Sequence, residues 1–282
     1  MNQYSPQGFK VLPTIVKNLI IINIIFYLAT VVFRHSLGID LTDYMGLYFF
    51  KSENFHFFQY ITYMFMHGNF EHLFFNMFAL WMFGNVLENY WGPKRFLMFY
   101  FVTGIGAAIV HTIIVGIDYY SIQSSINTYA ENPNPEAFVA LVQSELASIL
   151  TPDKVANANA FLQEWQMNAL STTNYGYQSV ELAQQLLASR ANIATVGASG
   201  AVYGILLAFG MMFPNQYIYL YFFVPIKAKW FVLGYGLIEL ASGVLSTGDG
   251  IAHFAHLGGM IFGYFLIRYW KKQDINRWTH MN

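Results

Sequence analysis

Apolar residues along this chain come in long unbroken runs separated by short polar breaks. A membrane-spanning helix needs about 20 mostly apolar residues. Six runs approach that length: 15–33, 70–90, 96–117, 194–213, 230–246 and 251–270. The first is too long for a removable signal peptide and has no small-residue cleavage site, so it is expected to stay as an anchor. Pro214 is expected to end the fourth. The apolar stretch 217–224 is too short to span, and its tyrosines suit the membrane interface. Residues 118–192 break the pattern. They are rich in Asn, Gln, Ser and Ala, with helical spacing over 136–150, 153–170 and 179–191.

Basic residues set the expected sidedness. With the N-terminus in the cytoplasm, the inner loops hold Lys10, Lys17, Lys94, Arg95, Lys227, Lys229, Arg268, Lys271, Lys272 and Arg277. The outer loops hold only Arg34, Lys51, Lys154 and Arg190. The expected fold is all-α: a polytopic bundle of six transmembrane helices with a helical external insertion between the third and fourth. The expected organisation is a cytoplasmic segment 1–14, a membrane domain 15–270 containing the insertion 118–192, and a cytoplasmic tail 271–282. The N-terminus lacks transit-peptide character, which favours a bacterial plasma (inner) membrane.

Composition agrees with this organisation. Of 282 residues, 56% are hydrophobic and only 10% charged, too few charges to cover a soluble surface. A net charge of −1 gives no electrostatic footprint for nucleic acid, and no nucleic-acid partner is expected. The absence of cysteine excludes disulfides, thiolate metal sites and a thiol nucleophile.

Ionisable groups within spans are costly, so each is a candidate functional residue. His35, His56 and His280 fall in loops or tails, His111 suits a hydrogen-bonded packing role, and Glu88 and Glu239 suit pairing near helix ends. The remaining histidines lie in two strings. HGNFEHLFFN at 67–76 carries His67, His72 and Asn76, the last two sharing a helix face. It does not make an HExxH zinc motif. AHFAHLGGMIFG at 252–263 carries His253 and His256, followed by Gly259 and Gly263 in GxxxG spacing. A third string, GASGAVYG at 197–204, places Ser199 among small residues near a helix start, where free N–H groups favour negative charge. Ala201 departs from the soluble-hydrolase GxSxG elbow. Gly200 and Gly204 form another GxxxG, so the fourth and sixth spans are expected to pack closely. All three strings open spans running from outside to inside, so they share one depth. A serine, a histidine and further donors at that depth are the parts of a serine hydrolase.

These strings resemble the rhomboid intramembrane serine proteases. The matching residues are His67, His72 and Asn76; Gly197-Ala198-Ser199-Gly200; and Ala255-His256-Leu257-Gly258-Gly259, with Gly263. The resemblance implies a Ser–His dyad without a third acid: Ser199 as nucleophile and His256 as base. It implies an oxyanion hole from His72, Asn76 and the Ser199 N–H, with Tyr203 packed on the catalytic imidazole. His253 competes with His256 but lacks the following Leu-Gly-Gly, and His67 is expected to be structural. Gly197, Gly200 and Gly259 support the site. The implied partners are transmembrane protein substrates within the lipid bilayer, with no cofactor and no metal. There are two departures from the family pattern: Phe57-Phe58-Gln59 stands where many members carry Trp-Arg, and the insertion 118–192 is long. Two other classes compete: an inactive rhomboid-like protein that binds membrane clients, and a metal site or transporter using His67, His72, His253 and His256.

Overall fold

The computed structural model describes residues 8–146, 150–168, 174–220, 223–245 and 253–280, with only the backbone described at 220 and 275–280. Helices dominate. Among the described residues, three are long and apolar enough to cross a membrane: α1 (Thr14–Leu37), α6 (Pro93–Ala130) and α11 (Ala228–Leu245). Two short helices, α2 (Thr42–Met45) and α3 (Gln59–Thr62), lie in the first loop. Next come α4 (Phe70–Ala79), a π turn (Leu80–Gly84) and α5 (Asn85–Trp91), which follow one another without a break. The remaining helices are α7 (Pro135–Leu141), α8 (Pro152–Met167), α9 (Tyr175–Ala191), α10 (Ser199–Met212) and α12 (His253–His280). The expected helix ends at 246, 251–252 and 169–170, and residues 147–149 of the expected helix 136–150, lie outside the described residues.

Helix α10 forms the centre, with nine of its fourteen residues buried. It packs against α6 and α12 through residues with little or no side chain. A methyl group on Gly259 would overlap the Gly200 carbonyl, and one on Gly204 would lie 2.7 Å from Thr103 and 3.0 Å from the Gly259 carbonyl. The two GxxxG strings thus meet backbone to backbone. Peripheral α1 and α11 expose Ile25, Leu28, Val32, Leu237, Ile238 and Val244, which suits contact with hydrocarbon.

Glu88 has a structural partner. Its carboxylate accepts from the backbone N–H groups of Ile15 (2.9 Å) and Val16 (2.8 Å). It therefore satisfies two of the four donors that an α-helix N-terminus leaves open, from a different helix.

The structure shifts several expected boundaries. Helix α6 does not stop at 117 but runs to Ala130, 38 residues in all. At about 1.5 Å per residue that is about 57 Å, well beyond the ~30 Å apolar layer. Nothing in 118–130 breaks a helix; polarity there marks departure from the apolar phase, not the end of the helix. Its extension carries Ile122, Ile126 and Tyr129 into a second core with Phe138, Leu141, Leu146, Ala158, Ala183, Leu186 and Leu187. The insertion is thus a small helical body built on α6, joined lower down by an Arg190–Asp118 ion pair of 2.6 Å.

The fourth apolar run is helical only from Ser199. Before it, Thr195 is paired to Leu47 and the chain turns at Gly197 into the helix. The stretch from 217 enters a short hairpin, in which β1 (Tyr217–Leu220) pairs antiparallel with β2 (Val224–Lys227).

Candidate active site

Ser199 is the first residue of α10, His256 lies on α12 and His72 in the first turn of α4. Ser199 Oγ is 2.8 Å from His256 Nε2. The turn into α10 is tight because Gly197 adopts φ +127°, a region that side chains disfavour, and its N–H donates to the Tyr63 carbonyl at 2.9 Å. A side chain at 197 would also lie 2.7 Å from His72 Nε2 and 3.5 Å from Ser199 Oγ. Glycine therefore keeps open a space bordered by His72 and Ser199. As the first residue of its helix, Ser199 has a backbone N–H with no acceptor one turn back.

Asn76 is buried and donates from Nδ2 to the His72 carbonyl at 2.9 Å, within its own helix. His67 is buried and meets His72 edge to face, ring centroids 5.0 Å apart. Tyr203 lies flat on His256, with centroids 4.2 Å apart and planes inclined by 4°. His111 pairs with Thr195 at 2.6 Å, tying α6 to the strand that leads into the serine turn.

The structure adds one residue to this group. Glu239, on α11, places Oε2 2.8 Å from His256 Nδ1 and 2.8 Å from His253 Nδ1, while Tyr203 OH donates to Oε1. The resemblance implied no acid beside the Ser–His pair, yet here a buried carboxylate contacts the far side of the imidazole. Glu239 is the sole acidic residue of α11, and an acid in an apolar helix signals a polar partner. Its partner stayed invisible in the sequence because it is supplied by another helix. Among the described residues, the ligating atoms of Glu239, His253 and His256 lie within 4.8 Å of one another, close enough together to hold a metal ion. The 2.8 Å separations are those of hydrogen bonds.

Gln59 supplies the first loop with its centre. Fully buried, it accepts from His56 N–H (3.0 Å) and donates to the carbonyls of Asn54 (2.8 Å) and Tyr44 (3.2 Å). A neutral amide thus ties together the loop in which many rhomboids carry Trp-Arg.

The family model for the Rhomboid domain matches residues 54–129 and 168–273. The chain belongs to the rhomboid family. Neither the curated proteins nor the solved structures contain a match. Membership and the long apolar helices together make it an integral membrane protein. The two matched stretches contain every residue of the group around this rhomboid's Ser199, Glu239 included. The unmatched residues 130–167 carry α7 and α8, while the α6 extension and α9 fall within the matched stretches.

Proposed function

We propose that this rhomboid is an intramembrane serine endopeptidase that cleaves transmembrane segments near the outer leaflet. The observation that carries the proposal is the 2.8 Å separation of Ser199 Oγ and His256 Nε2. At that distance the imidazole can take the hydroxyl proton as Oγ attacks a carbonyl carbon. The Ser199 N–H and the His72 side chain border the space where the oxyanion develops, and Asn76 lies one turn further along α4. The imidazolium then gives its proton to the departing amine, and water hydrolyses the acyl-enzyme. Tyr203 keeps the imidazole in plane throughout.

A helical substrate hides its carbonyls in internal hydrogen bonds, so cleavage needs local unwinding. Substrates with Gly, Ala or Pro near the scissile bond are expected, since those residues loosen a helix. The proposed topology has six spans, both termini cytoplasmic and the site facing outward, in a bacterial inner membrane. The membrane domain is 15–270, flanked by 1–14 and 271–282, with 118–192 outside the bilayer.

A fluorophosphonate probe applied to the detergent-solubilised chain tests the proposal. The wild type should label, and Ser199→Ala and His256→Ala should not. A folded wild-type protein that never labels and cleaves no helical membrane segment would instead be a client-binding rhomboid.

A further inference from the structure

We infer that Glu239 is the positioning residue of the site: it holds His256 in the tautomer whose Nε2 can accept the Ser199 proton. The inference rests on Ser199 being the nucleophile. It converts the implied Ser–His pair into a Ser–His–Glu line running across α10, α12 and α11.

The argument is a count of donors and acceptors. Glu239 Oε2 lies 2.8 Å from Nδ1 of both His253 and His256, and Oε1 receives the Tyr203 hydroxyl. A carboxyl group has at most one proton, and one proton cannot serve two imidazoles. The ionised carboxylate, accepting Nδ1–H from each histidine and O–H from the tyrosine, satisfies all three contacts. A neutral imidazole carries a single N–H. With that hydrogen on Nδ1, His256 Nε2 is bare, and it is this atom that lies 2.8 Å from Ser199 Oγ. The other tautomer would set the Nδ1 lone pair against carboxylate lone pairs and leave Nε2 unable to take the serine proton.

Burial adds weight. Glu239 is 6% exposed, in a helix with no other acid. An isolated carboxylate there would be very costly, whereas one with three donors is sustained. During attack the Oγ–H bond breaks, the Oγ–carbon bond forms and the proton moves to Nε2. The imidazolium then carries a hydrogen on each nitrogen, with Nδ1–H facing the negative carboxylate. The Nε2 proton leaves with the amine, and Glu239 never becomes protonated.

The test uses the full chain in detergent, comparing fluorophosphonate labelling rates of wild type, Ser199→Ala, Glu239→Gln and Glu239→Asp, with thermal unfolding of each. Glu239→Gln should unfold near the wild-type temperature yet label on the order of 10²–10⁴-fold more slowly, with part of the rate restored in Glu239→Asp. Labelling of Glu239→Gln at the wild-type rate overturns the inference. A wild type that does not label, or a Ser199→Ala that does, removes the nucleophile assignment instead. A second measurement then decides the part of Glu239 by itself, and it also serves if Glu239→Gln fails to fold. In ¹⁵N-histidine spectra of the wild type, His256 should carry its hydrogen on Nδ1. A hydrogen on Nε2 overturns the inference, as does a stoichiometric metal ion in the purified protein, because Nδ1 would then be a ligand and not a donor.

Discussion

The phenol ring of Tyr203 lies against the His256 imidazole at 4.2 Å and 4°, while its hydroxyl reaches Glu239 on a third helix. One side chain thus fixes both the plane of the imidazole and the position of the carboxylate behind it. The two contributions separate by mutation. Tyr203→Phe keeps the stack and loses a hydrogen bond to a charged group, which is worth about 1.5–3 kcal/mol. Labelling should slow by about 10- to 150-fold. Tyr203→Ala also frees the imidazole to tilt and should slow it about tenfold further. Equal rates for the two variants would show that the ring contributes nothing.

Gly259→Ala should separate α10 from α12. The obstruction is the Gly200 carbonyl, which belongs to the backbone and cannot rotate away. Overpacking of this kind costs about 1–3 kcal/mol or more, and the shift moves His256 relative to Ser199. The unfolding temperature and the labelling rate should fall together. Gly234→Ala is the control, since nothing lies within 4 Å of the added methyl; in mid-helix it should be neutral or stabilise by up to about 1 kcal/mol.

Glu88→Ala should destabilise the protein without touching the chemistry. It leaves the Ile15 and Val16 N–H groups without their acceptors. Each unsatisfied buried donor costs about 1–3 kcal/mol. Thermal unfolding should shift downward, while labelling measured well below the transition stays at the wild-type rate.

Phe138→Ala should loosen the insertion alone. Phe138 is 1% exposed at the centre of the second core, which shares no residue with the main one. Such a truncation costs about 3–5 kcal/mol. Limited proteolysis should begin within 130–191, with Ser199 labelling retained. A changed labelling rate would instead show that the insertion governs access to the site.

Much of the site could be read from residue types and spacing. Ser199, His256, His72 and Asn76 stood out because polar groups are rare in apolar runs, and the paired GxxxG strings foretold the contact of α10 with α12. The helix boundaries were less legible. Residues 118–130 look polar and so seemed to end α6, yet helix continuation depends on local backbone preference and on Ile122, Ile126 and Tyr129 finding a core. Residues 194–198 look apolar and so seemed helical, yet Thr195 pairs with Leu47 and the turn at Gly197 delays the helix to Ser199. Gln59 stood out only as a departure from the family pattern, because its backbone partners are set by how the loop folds.

By itself the chain's order of residues determined the membrane character, the rhomboid family strings and the placement of Ser199 and His256 on separate helices. The membrane character and the helix placement follow from composition and local periodicity, which act within one helix, and the strings are read by their resemblance to the family. Only the tertiary structure decided what stands behind the His256 imidazole. Glu239 lies 17 residues from His256 in the chain, with its Oε2 2.8 Å from Nδ1. That contact arises from how α11 packs against α10 and α12, a relation between helices that no periodicity within any one of them encodes.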